Sequence, residues 1–187
     1  WVTYPELVVY SGGVPVFIET DESTEFKITA KQLKEKITPK TKILMLNSPS
    51  NPTGSIYSKD ELLAIGEVLK GTDIIVLSDE MYEKLIYKGK KFTATAEVSE
   101  DMYNRTVTIN GLSKSVTMTG WRFGYVACPN SALAKAMSKL QGQVTSNVNS
   151  MTQYAAIVAL EGEANKDIEM MRIEFEKRKD YAVKAIN

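Results

Sequence analysis

Apolar and polar positions follow two rhythms along this chain, and the rhythm switches at glycine and proline. Five short runs carry near-continuous apolar character of strand length: Val14 to Glu19 (VPVFIE), Lys42 to Leu46 (KILML), Asp73 to Leu77 (DIIVL), Arg105 to Ile109 (RTVTI) and Phe123 to Cys128 (FGYVAC). Lys84 to Tyr87 and Phe92 to Thr95, joined around Gly89, read as a hairpin. Helical periodicity fills the intervals. Pro5 to Tyr10 is a short helix that stops at Gly12-Gly13. Thr29 to Ile37 is a polar amphipathic helix with Thr29 as its N-cap. Ser58 to Lys70 is a helix in which Ser58 and Glu61 have capping-box spacing and Gly71 supplies the stop. Three further helices run from Ser131 to Gln143, Ser150 to Leu160 and Asn165 to the end.

Strands that alternate with helices and are apolar on both sides predict an α/β fold. The expected architecture is three-layer α/β/α, with a mainly parallel, mixed sheet. In such sheets ligands sit beyond the carboxyl ends of the strands. The residues that follow each strand are therefore the place to look for chemistry.

Composition narrows the chemistry. The 187 residues are 43% hydrophobic, enough for one substantial core or a large part of a bigger one. Twenty-three basic residues balance 23 acidic ones, without the basic excess of a nucleic-acid-binding surface. No apolar run approaches the roughly 18 residues of a membrane helix. Cys128 is the single cysteine, so no internal disulfide forms, and a reducing cytoplasm is the expected setting. Histidine is absent, which removes Ser-His-Asp triads, Cys-His pairs and His-ligated zinc. Catalysis would fall to Lys, Tyr, Asp, Glu or a cofactor. The sequence opens at Trp1 and ends inside a helical pattern, so the expectation is of an excised piece of a larger protein.

Three segments at strand ends stand out. The first, Asn47-Ser48-Pro49-Ser50-Asn51-Pro52-Thr53-Gly54, is held out of helical conformation by two X-Pro steps. It suits a plain tight turn and a rigid platform for polar groups equally well. The second, Ser78-Asp79-Glu80-Met81-Tyr82, spaces Asp79 and Tyr82 by three residues, as one helical turn would require. Asp79 reads equally as a helix N-cap. The third runs from Asn110 through Gly111, Ser113, Lys114 and Ser115 to Trp121-Arg122. Small and hydroxyl residues crowd Lys114 with no neighbouring carboxylate, which suits a lysine closely approached by a ligand.

SPSNPTG, SDEMY and NGLSKSVTMTGWRFGY, in this order and spacing, resemble the class I aminotransferases, fold-type I enzymes that use pyridoxal 5′-phosphate. The resemblance runs from Trp1 to about Gly162, and WVTYPE and QGQVTSNVNSMTQYAA are similar to the bacterial aspartate aminotransferase-like subgroup. It implies that Lys114 forms a Schiff base with the cofactor and, once freed, moves the proton between substrate and cofactor. It implies that Asp79 pairs with the pyridine nitrogen and that Asn51 and Tyr82 hydrogen-bond the phenolic oxygen. Arg122 would hold the phosphate through its guanidinium fork, and Trp1 would stack on the ring. Gly111 stands where many relatives have a phosphate-contacting Ser, and Thr117 and Phe123 are bulkier than is usual. Thr145 to Asn147 either approach a partner subunit's site, as in relatives, or form a simple polar loop.

The resemblance further implies a division of the chain. Residues 1–162 would be a partial cofactor-binding large domain, and 163–187 the start of a long helix leading to a small C-terminal domain. The expected reaction is ping-pong transfer of an amino group between an amino acid, aspartate or similar, and a 2-oxo acid. The parent protein would be a cytoplasmic homodimer without nucleic-acid or membrane partners, and the isolated fragment inactive. Other readings are a fold-type I lyase or synthase, the PLP-sensing domain of a transcription regulator, and a cofactor-free paralogue. Joint retention of Lys114, Asp79, Tyr82, Asn51 and Arg122 argues against the last of these.

Overall fold

Capping chemistry sets where two of the early helices begin. In the computed structural model, which describes residues 1–87 and 89–187, Thr29 and Ser58 each close a reciprocal capping box. The Ser58 hydroxyl accepts from the Glu61 amide, and the Glu61 carboxylate accepts from the Ser58 amide at 2.7 Å. Helix α1 spans Thr3–Tyr10, α2 Ala30–Lys36 and α3 Lys59–Leu69. Gly71, at φ 73°, takes the left-handed turn just past α3.

Four strands form one mixed sheet in the order β1-β2-β3-β4. They are β1 (Ile43–Asn47), β2 (Ile75–Asp79), β3 (Thr106–Gly111) and β4 (Gly124–Ala127). The first three are parallel and β4 is antiparallel to β3. In this register Asn47 lies beside Asp79, and Asp79 beside Ile109. The expected α/β fold is therefore present. Each of the first three strands ends one or two residues later than its apolar run, so Asn47, Asp79 and Asn110-Gly111 belong to strand ends.

One face of the sheet is covered along β1 and β2. Leu44, Leu46 and Val76 pack with Leu33 of α2, with Leu62, Ile65 and Leu69 of α3, and with Met102 of α4 (Glu100–Arg105). Each such side chain contributes roughly 1.5–3 kcal/mol of burial free energy. This core fixes β1 against β2 and thereby the spacing of the loops above them. The opposite face carries Ile43, Met45, Ile75, Leu77, Ile109 and Val126 by strand alternation. It is more open, with Ile43 54% and Val126 48% exposed.

Two expected elements do not form. Val14 to Glu19 forms no strand and finds no ladder partner among the described residues, and Pro15 has no amide to offer one. The described residues of the expected hairpin, 84–87 and 92–95, form no strand; Lys88 at its tip lies outside the described residues. A turn bond from the Lys90 amide to the Tyr87 carbonyl at 3.1 Å replaces the ladder. The structure adds two short helices, α4, capped by the Ser99 side chain, and α5 (Leu112–Ser115), which were too brief to show periodicity. Three helices complete the chain: α6 (Ser131–Val144), α7 (Ser150–Leu160) and α8 (Asn165–Ile186). Among the described residues no helix is long and apolar enough to cross a membrane.

Candidate functional site

The carboxyl ends of β1, β2 and β3 bring the three sequence segments together. Asn47 closes β1 and ties two of them. Its side-chain amide donates to the Asp79 carbonyl at 3.1 Å, and its side-chain oxygen accepts from the Asn51 amide at 2.9 Å. The Ser48 amide also donates to the Asp79 carbonyl, at 3.0 Å. Both prolines of this loop follow cis peptide bonds. The loop is a platform with fixed polar groups rather than a featureless turn.

Asp79 is the last residue of β2, and no helix follows it. The N-cap reading therefore fails, and a tight turn leads on instead. The Met81 amide donates to Asp79 Oδ1 at 3.1 Å. The Tyr4 hydroxyl of α1 donates to Asp79 Oδ2 across 75 positions of sequence. Both carboxylate oxygens are thus held, while each keeps a lone-pair site to spare.

Tyr82 sits on the turn after Asp79. Its hydroxyl accepts from the Asn51 side-chain amide at 3.2 Å. The Lys114 ammonium lies 6.0 Å from the centre of the Tyr82 ring, at the outer limit of a cation–π contact. Lys114 itself is on the single turn of α5, directly after β3. No carboxylate pairs with it among the described residues. Asn51, Tyr82 and Lys114 therefore converge, with Asp79 fixed on the neighbouring strand end.

Gly111 explains how β3 gives way to α5. A Cβ there would stand 2.8 Å from the Phe123 carbonyl oxygen and 3.1 Å from Gly124 Cα. Only glycine lets β4 approach this closely. The segment beyond α5 contains two non-glycine residues in left-handed conformation, Thr117 at φ 56° and Arg122 at φ 54°. Such conformations cost of order 1–3 kcal/mol and concentrate at functional sites.

Arg122 and Trp1 stand apart from the convergent group. Arg122 is exposed and donates to the Thr119 carbonyl at 2.9 Å, with no carboxylate partner among the described residues. Trp1 is 62% exposed, and its ring makes no aromatic contact among the described residues. Two participants escape sequence reading altogether. Tyr4 lies within the WVTYPE segment that carries part of the resemblance but gives it no role, and Asn47 reads as one more polar loop residue.

The sequence matches the aminotransferase class I and II family over residues 1–187. The chain belongs to that family. Aminotransferases of this kind are pyridoxal 5′-phosphate enzymes acting on amino acids and 2-oxo acids. The chain is 52% identical over 178 residues to an aspartate aminotransferase of Geobacillus stearothermophilus, covering 95% of this chain and 45% of that protein. It is 49% identical over 179 residues to an asparagine–oxo-acid transaminase of Streptococcus mutans, again covering 95% of this chain and 45% of the relative. Among solved structures, the aspartate aminotransferase of Rhizobium meliloti superposes with a TM-score of 0.93 at 40% identity, over 98% of this chain and 46% of that one. The Thermus thermophilus enzyme solved with maleate gives a TM-score of 0.92 at 36% identity, over 98% of this chain and 47% of that one. The chain thus spans about half the length of the aminotransferases it matches.

Proposed function

We propose that this chain is the cofactor-binding part of an aminotransferase that moves an amino group between an amino acid, aspartate or a close analogue, and a 2-oxo acid. The observation that carries this reading is the convergence of Asn51, Tyr82 and Lys114 beside a fixed Asp79. The donor set suits pyridoxal 5′-phosphate: an amine, a carboxylate with spare lone pairs, two hydrogen-bonding groups and a guanidinium bonded to one backbone carbonyl with donors to spare. When bound, that cofactor supplies an aldehyde for an amine and a ring that takes up electrons from the substrate's Cα.

Lys114 would supply the amine for the cofactor's aldehyde and would hold and return the proton as base and acid. Asp79 would pair with the ring nitrogen and favour its protonated form. Asn51 and Tyr82 hold the phenolic oxygen. Arg122 offers its fork to the phosphate, and Trp1 offers an aromatic face. The half-reactions alternate, so the chemistry is ping-pong. Residues 1–162 form part of the large domain, and 163–187 begin the helix that leads from it. The parent protein is a cytoplasmic homodimer, a setting that suits the free thiol of Cys128.

Incubation with pyridoxal 5′-phosphate, borohydride reduction and peptide mass mapping test this directly. The expected product is a single modified peptide carrying Lys114, in the full-length protein. Labelling scattered over surface lysines there, with Lys114 untouched, would overturn the assignment. The 187-residue chain alone is expected to turn over no amino acid, and measurable turnover would refute that.

A further inference from the structure

Helix α1 carries no buried residue, yet one of its side chains reaches across the chain to the end of β2. Tyr4 is half-buried, and its hydroxyl donates to Asp79 Oδ2. Burial, then the hydrogen bond to Asp79 and its charge, and then the nearby Tyr82 push the Tyr4 phenol far above the ordinary tyrosine range. At neutral pH it is therefore protonated and able to donate. The Met81 amide holds the other carboxylate oxygen. Two donors from two separate segments fix the plane of the carboxylate, which a single donor would leave free to rotate.

We propose that Tyr4 is a positioning residue, which by holding Asp79 Oδ2 fixes the orientation in which Asp79 meets the cofactor's ring nitrogen. This rests on the role given to Asp79 in the proposed function. Tyr4 itself touches neither cofactor nor substrate in this reading; it acts through Asp79. The competing role is that of a staple that merely fastens α1 to the sheet. A staple would matter equally whatever stands at position 79, whereas a positioning residue matters only while the carboxylate is there.

A double-mutant cycle separates the two. The full-length protein, Tyr4→Phe, Asp79→Asn and the double variant are each titrated with pyridoxal 5′-phosphate, and the visible band of the bound cofactor is recorded. Thermal melts are run alongside, and kcat and KM for the amino donor are measured. Tyr4→Phe is expected to weaken cofactor binding by about tenfold, the size of losing one bond to a charged group. It should shift the cofactor band and lower kcat more than it raises KM. In the Asp79→Asn background the same change should alter affinity and band by less than about twofold. Equal weakening in both backgrounds would show a staple and overturn the proposal, as would an unchanged band and affinity in Tyr4→Phe alone. Failure of the underlying reading looks different. The unsubstituted protein would then bind no cofactor, or Asp79→Asn would leave binding untouched, and the proposal would fall with it.

Discussion

The Asn51 side-chain amide donates to the Tyr82 hydroxyl at 3.2 Å, joining two loops that lie 31 residues apart in the chain. The bond orients both groups before any ligand arrives, and pre-set donors lose little on binding. Removing either partner should therefore disturb the other. Asn51→Ala and Tyr82→Phe are each expected to lower kcat/KM of the full-length protein by roughly tenfold to a hundredfold. The double variant should lose less than the product of the two, because both act on the same contact. Steady-state assays on the four proteins check this, and strictly multiplicative losses would argue that the residues act apart.

Arg122 has a guanidinium engaged by one backbone carbonyl and by no carboxylate among the described residues. Its remaining donors suit a phosphate. Arg122→Ala is expected to raise the dissociation constant for pyridoxal 5′-phosphate by about 10- to 100-fold, and Arg122→Lys by less, since lysine keeps the charge and loses the fork. Equilibrium titration of the full-length protein measures both. A wild-type affinity for Arg122→Ala would remove Arg122 from the phosphate site.

Gly111→Ser tests the junction of β3 and β4. The resemblance makes serine at this position look helpful, as a further phosphate contact. The Phe123 carbonyl oxygen at 2.8 Å from the would-be Cβ says otherwise. The two strands would have to part, at a cost of roughly 1–3 kcal/mol. A lowered melting temperature is the expected result. Tighter cofactor binding with unchanged melting would show that the strands yield freely.

Glu80 is 3% exposed, and its Oε1 accepts from the Thr95 amide and the Ser78 hydroxyl, each at 2.9 Å. Burial pushes its carboxyl above the ordinary value near 4.5, against the opposing pull of those bonds, and the charge of Glu83 adds to the rise. A carboxyl raised on folding gives up its proton first in the unfolded chain. Stability is therefore drained as pH rises from the unfolded value through the folded one, and little is lost below both. Glu80→Gln keeps the accepting oxygen and removes the charge. It should melt above the unsubstituted protein at about pH 8 and lose that advantage at about pH 4. Melting curves at the two pH values decide it, and an equal difference at both would assign the effect to packing.

Much of this was legible in the sequence because local chemistry decided it. The Ser58–Glu61 capping box fixed the start of α3, and the apolar runs before Asn47, Asp79 and Asn110 placed the three parallel strands. Strand ends were less legible, since polar residues such as Asn47 and Asp79 continue a ladder that hydropathy alone would close early. Val14 to Glu19 misled for a related reason. Its composition suits a strand, but a strand exists only where a partner accepts its bonds. Asn51, Asp79, Tyr82 and Lys114 were singled out by the family resemblance that their motifs carry, since residue type and spacing alone left a tight turn or an N-cap equally open. Tyr4 was not, because its partner is 75 residues away and no local pattern encodes a meeting across that distance.

The two bonds made by the Asn47 side chain have a mechanical meaning. One amide group grips the backbone beneath Asp79 and the backbone at Asn51 together, at 3.1 and 2.9 Å. The loop bearing one group and the strand end bearing another are thereby coupled as a single lever. Parting the loop from the strand end would break one of these two bonds, each worth about 1 kcal/mol. A ligand spanning both would meet a caliper of fixed gauge.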